Sequence, residues 1–131
     1  MPHYMVFQQQ LTDEQINAVN LGQYGAEATA YFKLLSLSES MAQKRVDVAN
    51  SLGLYRMTAV ANARDLEELF NVGNGYPTDT SSTYTRVKPW RGGTSVSVGN
   101  VVVDTFYNKA YACCSFGWQE IDFTVTFKAK G

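Results

Sequence analysis

The chain has 131 residues, 45% hydrophobic and 18% charged, with 11 Lys and Arg against 12 Asp and Glu for a net charge of −1. That length suits one core of ordinary size, the composition is that of a globular rather than a disordered chain, and the balanced charge removes any whole-protein attraction to nucleic-acid backbones or anionic membranes. No apolar run reaches the roughly 18 residues of a membrane-spanning helix, and the start, MPHYMVFQQQ, lacks the basic and apolar regions of a signal peptide, so the expected compartment is the cytoplasm.

Residues 4–9, YMVFQQ, form a short β-prone run, and LTDEQINAVNLG follows with helix signals. Thr12 and Gln15 match a capping box, Asp13 and Glu14 suit the positive end of a helix, and Gly22 supplies a stop. The Ala- and Leu-rich stretch after it predicts a helix over roughly 26–35. In SESMAQKRVDVANSLG, either Met41, Arg45 and Val48 with Ala49, or Ala42, Val46 and Ala49, recur at helical spacing, and Gly53 ends the run. Residues 54–63, LYRMTAVANA, read as a strand. A short helix follows in DLEELFNVGNG, capped by Asp65, with Leu66, Leu69 and Phe70 as its apolar stripe.

Residues 76–94, with two prolines, two glycines and many hydroxyl side chains, read as a long loop of the kind that often carries function. The rest is β. Val96, Val98 and Val101 to Val103 flank Gly99-Asn100, FYNKA turns the chain, and YACCSF runs back as a hairpin. Ile121, Phe123, Val125 and Phe127 alternate with Glu120, Asp122, Thr124 and Thr126, which predicts a last strand with one face on the core. The expected architecture is a single α+β domain over 1–131: an antiparallel sheet with a C-terminal hairpin or meander, packed by N-terminal helices and one short mid-chain helix. Leu66, Phe70, Val102 and Phe123 are expected in its core.

Three segments taken together, DLEELFNVGN at 65–74, SVSVGNVVVD at 95–104 and AYACCSFGWQEI at 110–121, resemble the YodL-like domain. The pattern is a short Asp-Leu-Glu helix with Phe-Asn, a Ser-x-Ser-Val-Gly-Asp-Val-Val strand, and a returning strand that ends in Gly and an aromatic. Asn100 stands where that family usually has Asp. The resemblance implies a small protein of phages or conjugative and other mobile elements, in a setting of countering host defences, and it implies no known active site. Gly99-Asn100 is then expected to form the turn or bulge that sets strand register, Asp104 to sit at a hairpin end, and Gly117-Trp118 to make a second corner.

The candidate chemistry is sparse. The one histidine, His3, lies near the chain start, away from any nucleophile in sequence, so a Ser-His-Asp or Cys-His arrangement is not expected. Asp104, Glu120 and Asp122 are read as solvated strand charges rather than a Mg²⁺ or acid–base cluster. Cys113 and Cys114 are adjacent, which disfavours a disulfide, and one is expected in the core with the other half-exposed. No metal or other cofactor is implied.

The strongest candidate is YTRVKPWRGG at 84–93, where Arg86, Lys88 and Arg91 beside Tyr84 and Trp90 combine charge with stacking surface. Three cations are too few for strong phosphate affinity, so a host protein is placed ahead of nucleic acid as the partner. The leading expectation is a non-catalytic accessory protein of phage or mobile-element origin that binds and inhibits or redirects a host factor. Two others stand beside it. One is a structural protein that self-assembles into a homo-oligomer, and the other is a nucleotide- or nucleic-acid-binding protein with the 84–93 segment as lid.

Overall fold

The computed structural model describes residues 3–78, 81–87 and 95–124. Its central strand is β1 (His3–Gln9), which pairs antiparallel with β2 (Tyr55–Asn62) on one side and β4 (Val101–Asp104) on the other. Adding β3 (Thr83–Arg86), β5 (Lys109–Cys114) and β6 (Gly117–Ile121) gives, among the described residues, a six-stranded antiparallel sheet of order β3-β2-β1-β4-β5-β6. The fold is α+β, as the sequence predicts.

Helices cover both faces. On one, α2 (Ala26–Leu34) and α3 (Ala42–Ser51), with a short 3₁₀ turn at Glu39–Met41 between them, lie over Phe7, Tyr55, Val101 and Ala112. Ala42, Val46 and Ala49, spaced four and three apart, are the fully buried side of α3, and their small size brings that helix close to the strands. On the other face α4 (Leu66–Gly73) lays Leu69 against Tyr4, Val6, Ala59 and Val102. The capping box of α1 (Asp13–Asn20) forms as read: the Gln15 amide donates to Thr12 Oγ1 at 3.1 Å, and the Thr12 amide donates to Gln15 Oε1 at 2.8 Å. Asp65 caps α4 in the same way, accepting from the Glu68 amide at 2.9 Å.

One residue in β2 decides which side chains enter which core. Val6 pairs with Ala59 but Phe7 pairs with Met57, so Thr58 is an extra residue, a β-bulge. Because side chains alternate along a strand, this insertion moves the odd positions from one face to the other. Tyr55 and Met57 therefore face α2 and α3, while Ala59, Ala61 and Ala63 face α4.

Four expectations are corrected. The stretch 76–94 is not all loop, because the β-branched and aromatic side chains of Thr83–Arg86 form the edge strand β3, with Ala59 opposite Arg86 and Ala61 opposite Tyr84. Val96 and Val98 precede β4 instead of belonging to it. Of the expected core set, Val102 is buried but Leu66, Phe70 and Phe123 are half-buried, and Leu69 is the fully buried residue of α4. The last strand stops at Ile121, and Val125 and Phe127 lie outside the described residues.

The early end of β6 has a cause in α3. The Gln43 amide takes both backbone groups of Asp122, accepting from its N–H at 2.8 Å and donating to its carbonyl at 2.9 Å, and Asn50 donates to the Thr124 carbonyl at 2.6 Å. These bonds tie 122–124 to the helix. Phe123 consequently stands against Phe7 and Tyr55, each ring centroid 5.4 Å away. Since that ring is half-buried, Phe123→Ala is expected to cost about 2–3 kcal/mol, less than the roughly 3–5 kcal/mol of a fully buried Phe, as read by chemical denaturation.

Candidate partner-binding surface

The SVSVGN segment has a structural role. Asn100 is buried against the end of β1, where its Oδ1 accepts from Gln8 Nε2 at 3.1 Å and from the Ser97 amide at 2.9 Å, while its Nδ2 donates to Gln9 Oε1 at 2.8 Å. Gln8 Nε2 also reaches the Ser95 carbonyl and Gln9 Nε2 the Val98 carbonyl, at 3.0 and 3.1 Å. Gly99 donates its N–H to Cys113 and accepts from the Tyr55 hydroxyl, both at 2.8 Å. The segment is therefore a lock that joins β1, β2 and β5. Both polar atoms of the Asn100 amide are engaged within the fold.

The carboxylates are not brought together either. Asp104 sits at the hairpin end where it was expected, but it is buried, which corrects its reading as a solvated charge: it accepts from the Phe106 and Tyr107 amides at 2.9 and 3.2 Å and closes the β4–β5 turn. Glu120 pairs with Lys109 at 3.8 Å, and Asp122 is exposed. Among the described residues no three His, Cys, Asp or Glu side chains stand close enough to hold a metal ion.

Both cysteines are buried, at 5% and 4% exposure, which corrects the expectation that one is half-exposed. They point to opposite faces of β5, and both faces are covered. Burial pushes each thiol up to about 11, aided by the neighbouring thiol for Cys113 and by the Glu39 carboxylate for Cys114. Burial, with help from Asp104, also pushes the Tyr4 phenol up to about 12. In each case the fold favours the neutral form. The stability this adds is intact below the unfolded values, about 8.5 for Cys and about 10 for Tyr, and is lost as pH rises from there. Melting temperatures from neutral pH upward are expected to stay level to about pH 8.5 and then fall. Iodoacetamide at neutral pH is expected to leave both thiols unmodified until the chain is denatured.

The 84–93 candidates divide. Tyr84 is half-buried between β3 and α4, packed so closely that a Cβ on Gly73 would lie 3.1 Å from its ring, and burial raises its pKa. Arg86 is exposed on the edge strand. Lys88, Trp90 and Arg91 lie outside the described residues. Tyr84→Ala is expected to lose about 2 kcal/mol and Arg86→Ala less than about 0.5 kcal/mol, a contrast that thermal melts resolve. Tyr84 thus packs, partly buried, against the core under α4 rather than standing open.

Among the described residues, the helical layer is a surface rich in contact side chains. Tyr24, Phe32, Leu35 and Val48 are all exposed there, with Tyr24 at 63%. Phe32 stacks edge-on between Tyr24 and Tyr31, with centroids 6.0 and 5.7 Å away. Its flank of α2 borders a cleft of about 280 Å³ shared with Ile16 and Val19 of α1, a helix that has no buried residue. The opposite flank borders a groove of about 370 Å³ between α2 and α3, whose lining includes Lys33, Lys44 and Arg45. The signal for this surface was present in YFKLL, four large apolar residues around one cation, more than one buried helix face can absorb.

No helix among the described residues is long and apolar enough to cross a membrane. Comparison of the chain with protein-family models, with curated proteins and with solved structures returned no match.

Proposed function

We propose that this chain is a non-catalytic binding domain that docks a protein partner on its α1–α3 layer. The observation that carries the reading is the exposed set Tyr24, Phe32 and Leu35, side chains of the kind that anchor interfaces, grouped beside two clefts on one layer. Holding such surface in water costs stability, and a partner removes that cost. The resemblance of residues 65–121 to the YodL-like domain supports an accessory protein of a phage or other mobile element, with a host factor as the partner and inhibition or redirection of that factor as the outcome.

The test is affinity capture from the host that carries the gene, at low and high salt, with the wild type and a Tyr24→Ser/Phe32→Ser variant. One host protein is expected with the wild type and lost with the variant at unchanged melting temperature. Equal capture by both would overturn the reading. Self-assembly is favoured by a separate observation, the exposed aromatics at the strand turns: Phe106 and Tyr107 stacked at 4.8 Å, and Phe116 at 94% exposure. Light scattering across a concentration series decides it, since a concentration-independent monomer removes that alternative.

A further inference from the structure

The groove between α2 and α3 has a floor and a rim of different chemistry. Ala26 and Ala30 of α2 face Val48 and Leu52 at the far wall, so the floor is apolar and, on the α2 side, low. Lys33, Lys44 and Arg45 stand along it, and no carboxylate is among the lining residues. Of the acids on α2 and α3, Glu27 has its carboxylate beside Gly25, and Asp47 accepts from Gln43 at 2.9 Å on the flank of α3 that serves β6. Three cations with no anion make a local excess on a chain whose net charge is −1.

Among the described residues the cations are not occupied by ion pairs. Arg45 donates from Nη1 to the Lys33 carbonyl at 3.1 Å, which spans the groove and fixes the guanidinium there with its other N–H groups still available. Lys33 and Lys44 are exposed and have no ion-pair partner among the described residues.

The shape selects the occupant. A seam between helices of nine and ten residues is about 15 Å long at 1.5 Å per residue, enough for two to three turns of another helix. The low alanine wall admits close approach, and a third helix laid between two is a common mode of recognition by groove. An aliphatic stripe on that helix meets the floor, and acidic residues flanking the stripe meet the three cations.

We propose that the α2–α3 groove receives an acidic amphipathic helix from a partner protein. This deepens the reading of the helical layer as a docking face and rests on it.

Fluorescence anisotropy with the full chain tests it, using two labelled synthetic helical peptides that share a Leu stripe and differ in carrying Glu or Lys beside it. The Glu peptide is expected to bind saturably with one site, and the Lys peptide at least about tenfold more weakly. Lys33→Glu/Lys44→Glu, two exposed changes expected to leave the melting temperature unchanged, should weaken the Glu peptide by about tenfold or more and strengthen the Lys peptide. Equal binding of both peptides, binding of neither at millimolar concentration, or binding only to vesicles of anionic phospholipid would each overturn the proposal. If the peptides fail while Tyr24→Ser/Phe32→Ser still abolishes capture of the partner, the acidic helix is wrong and the docking face stands. If capture is indifferent to both variants, the docking face itself is wrong.

Discussion

Gly99→Ala is expected to destabilise the domain by about 2–4 kcal/mol, lowering the melting temperature by about 10 °C or more. Two costs add. Gly99 has φ +93, a backbone conformation that an L side chain adopts only with strain, on the order of 1 kcal/mol. A Cβ there would also overlap Gln9 Nε2 and come within 3.0 Å of the Leu34 carbonyl. The Gln9 amide can move only by giving up its bonds to Val98 and Asn100, and the Leu34 carbonyl belongs to helix backbone. Relief of one contact therefore breaks another. A variant that melts with the wild type would show that the 95–100 segment is not the lock described.

Asn100→Leu is expected to cost about 3–5 kcal/mol, the largest loss of any single change proposed, because three hydrogen bonds, two of them buried, are lost at once. Gln8 Nε2 loses one of its two acceptors and keeps the Ser95 carbonyl, the Ser97 amide loses the Asn100 oxygen, and Gln9 Oε1 loses its donor. Leucine is similar in size but offers none of these, and water has no room to replace them where Asn100 is 2% exposed. Asn100→Asp separates the roles: the acceptor to Gln8 and Ser97 remains, the donor to Gln9 is lost, and an intermediate cost is expected. Urea denaturation of the three proteins should rank them wild type, Asp, Leu.

The two predictions locate what was readable in the sequence. Capped helices and alternating strands were legible because their signals are local: Thr12 with Gln15, Asp65 with Glu68, and the valines of β4 each act within a few residues. The contents of the two cores were less so, since the Thr58 bulge moves the alternation of β2 from one face to the other and is visible only once β1 is paired with it. The end of β6 was illegible for a similar reason. Its alternating pattern continues to Phe127, but Gln43 and Asn50, more than 70 residues earlier, take the backbone of 122–124 for α3.

The site followed the same rule. Arg-aromatic composition marked 84–93, yet pairing with β2 puts Tyr84 under α4 and makes part of that segment structural. The helical layer carried a composition signal of its own in YFKLL, but the cationic groove exists only where Lys33 and Lys44, eleven positions apart, meet across two helices. Buried thiols gave the opposite error, since adjacency on a strand says that the side chains diverge and not that either face is open.

The central claim is that a partner docks on the α1–α3 layer, and site-specific photocrosslinking in the host cell measures this most directly. A photoreactive side chain is placed in turn at Thr29 in the groove, at Phe32, at Arg86 on the β3 edge and at Phe116 on the β5–β6 turn, all of them outside the two cores. One partner band is expected, strong from Thr29 and Phe32 and absent from Arg86 and Phe116. A band from Arg86 or Phe116 with none from Thr29 and Phe32 would contradict it and return the binding site to the segment around 84–93 or to the strand turns.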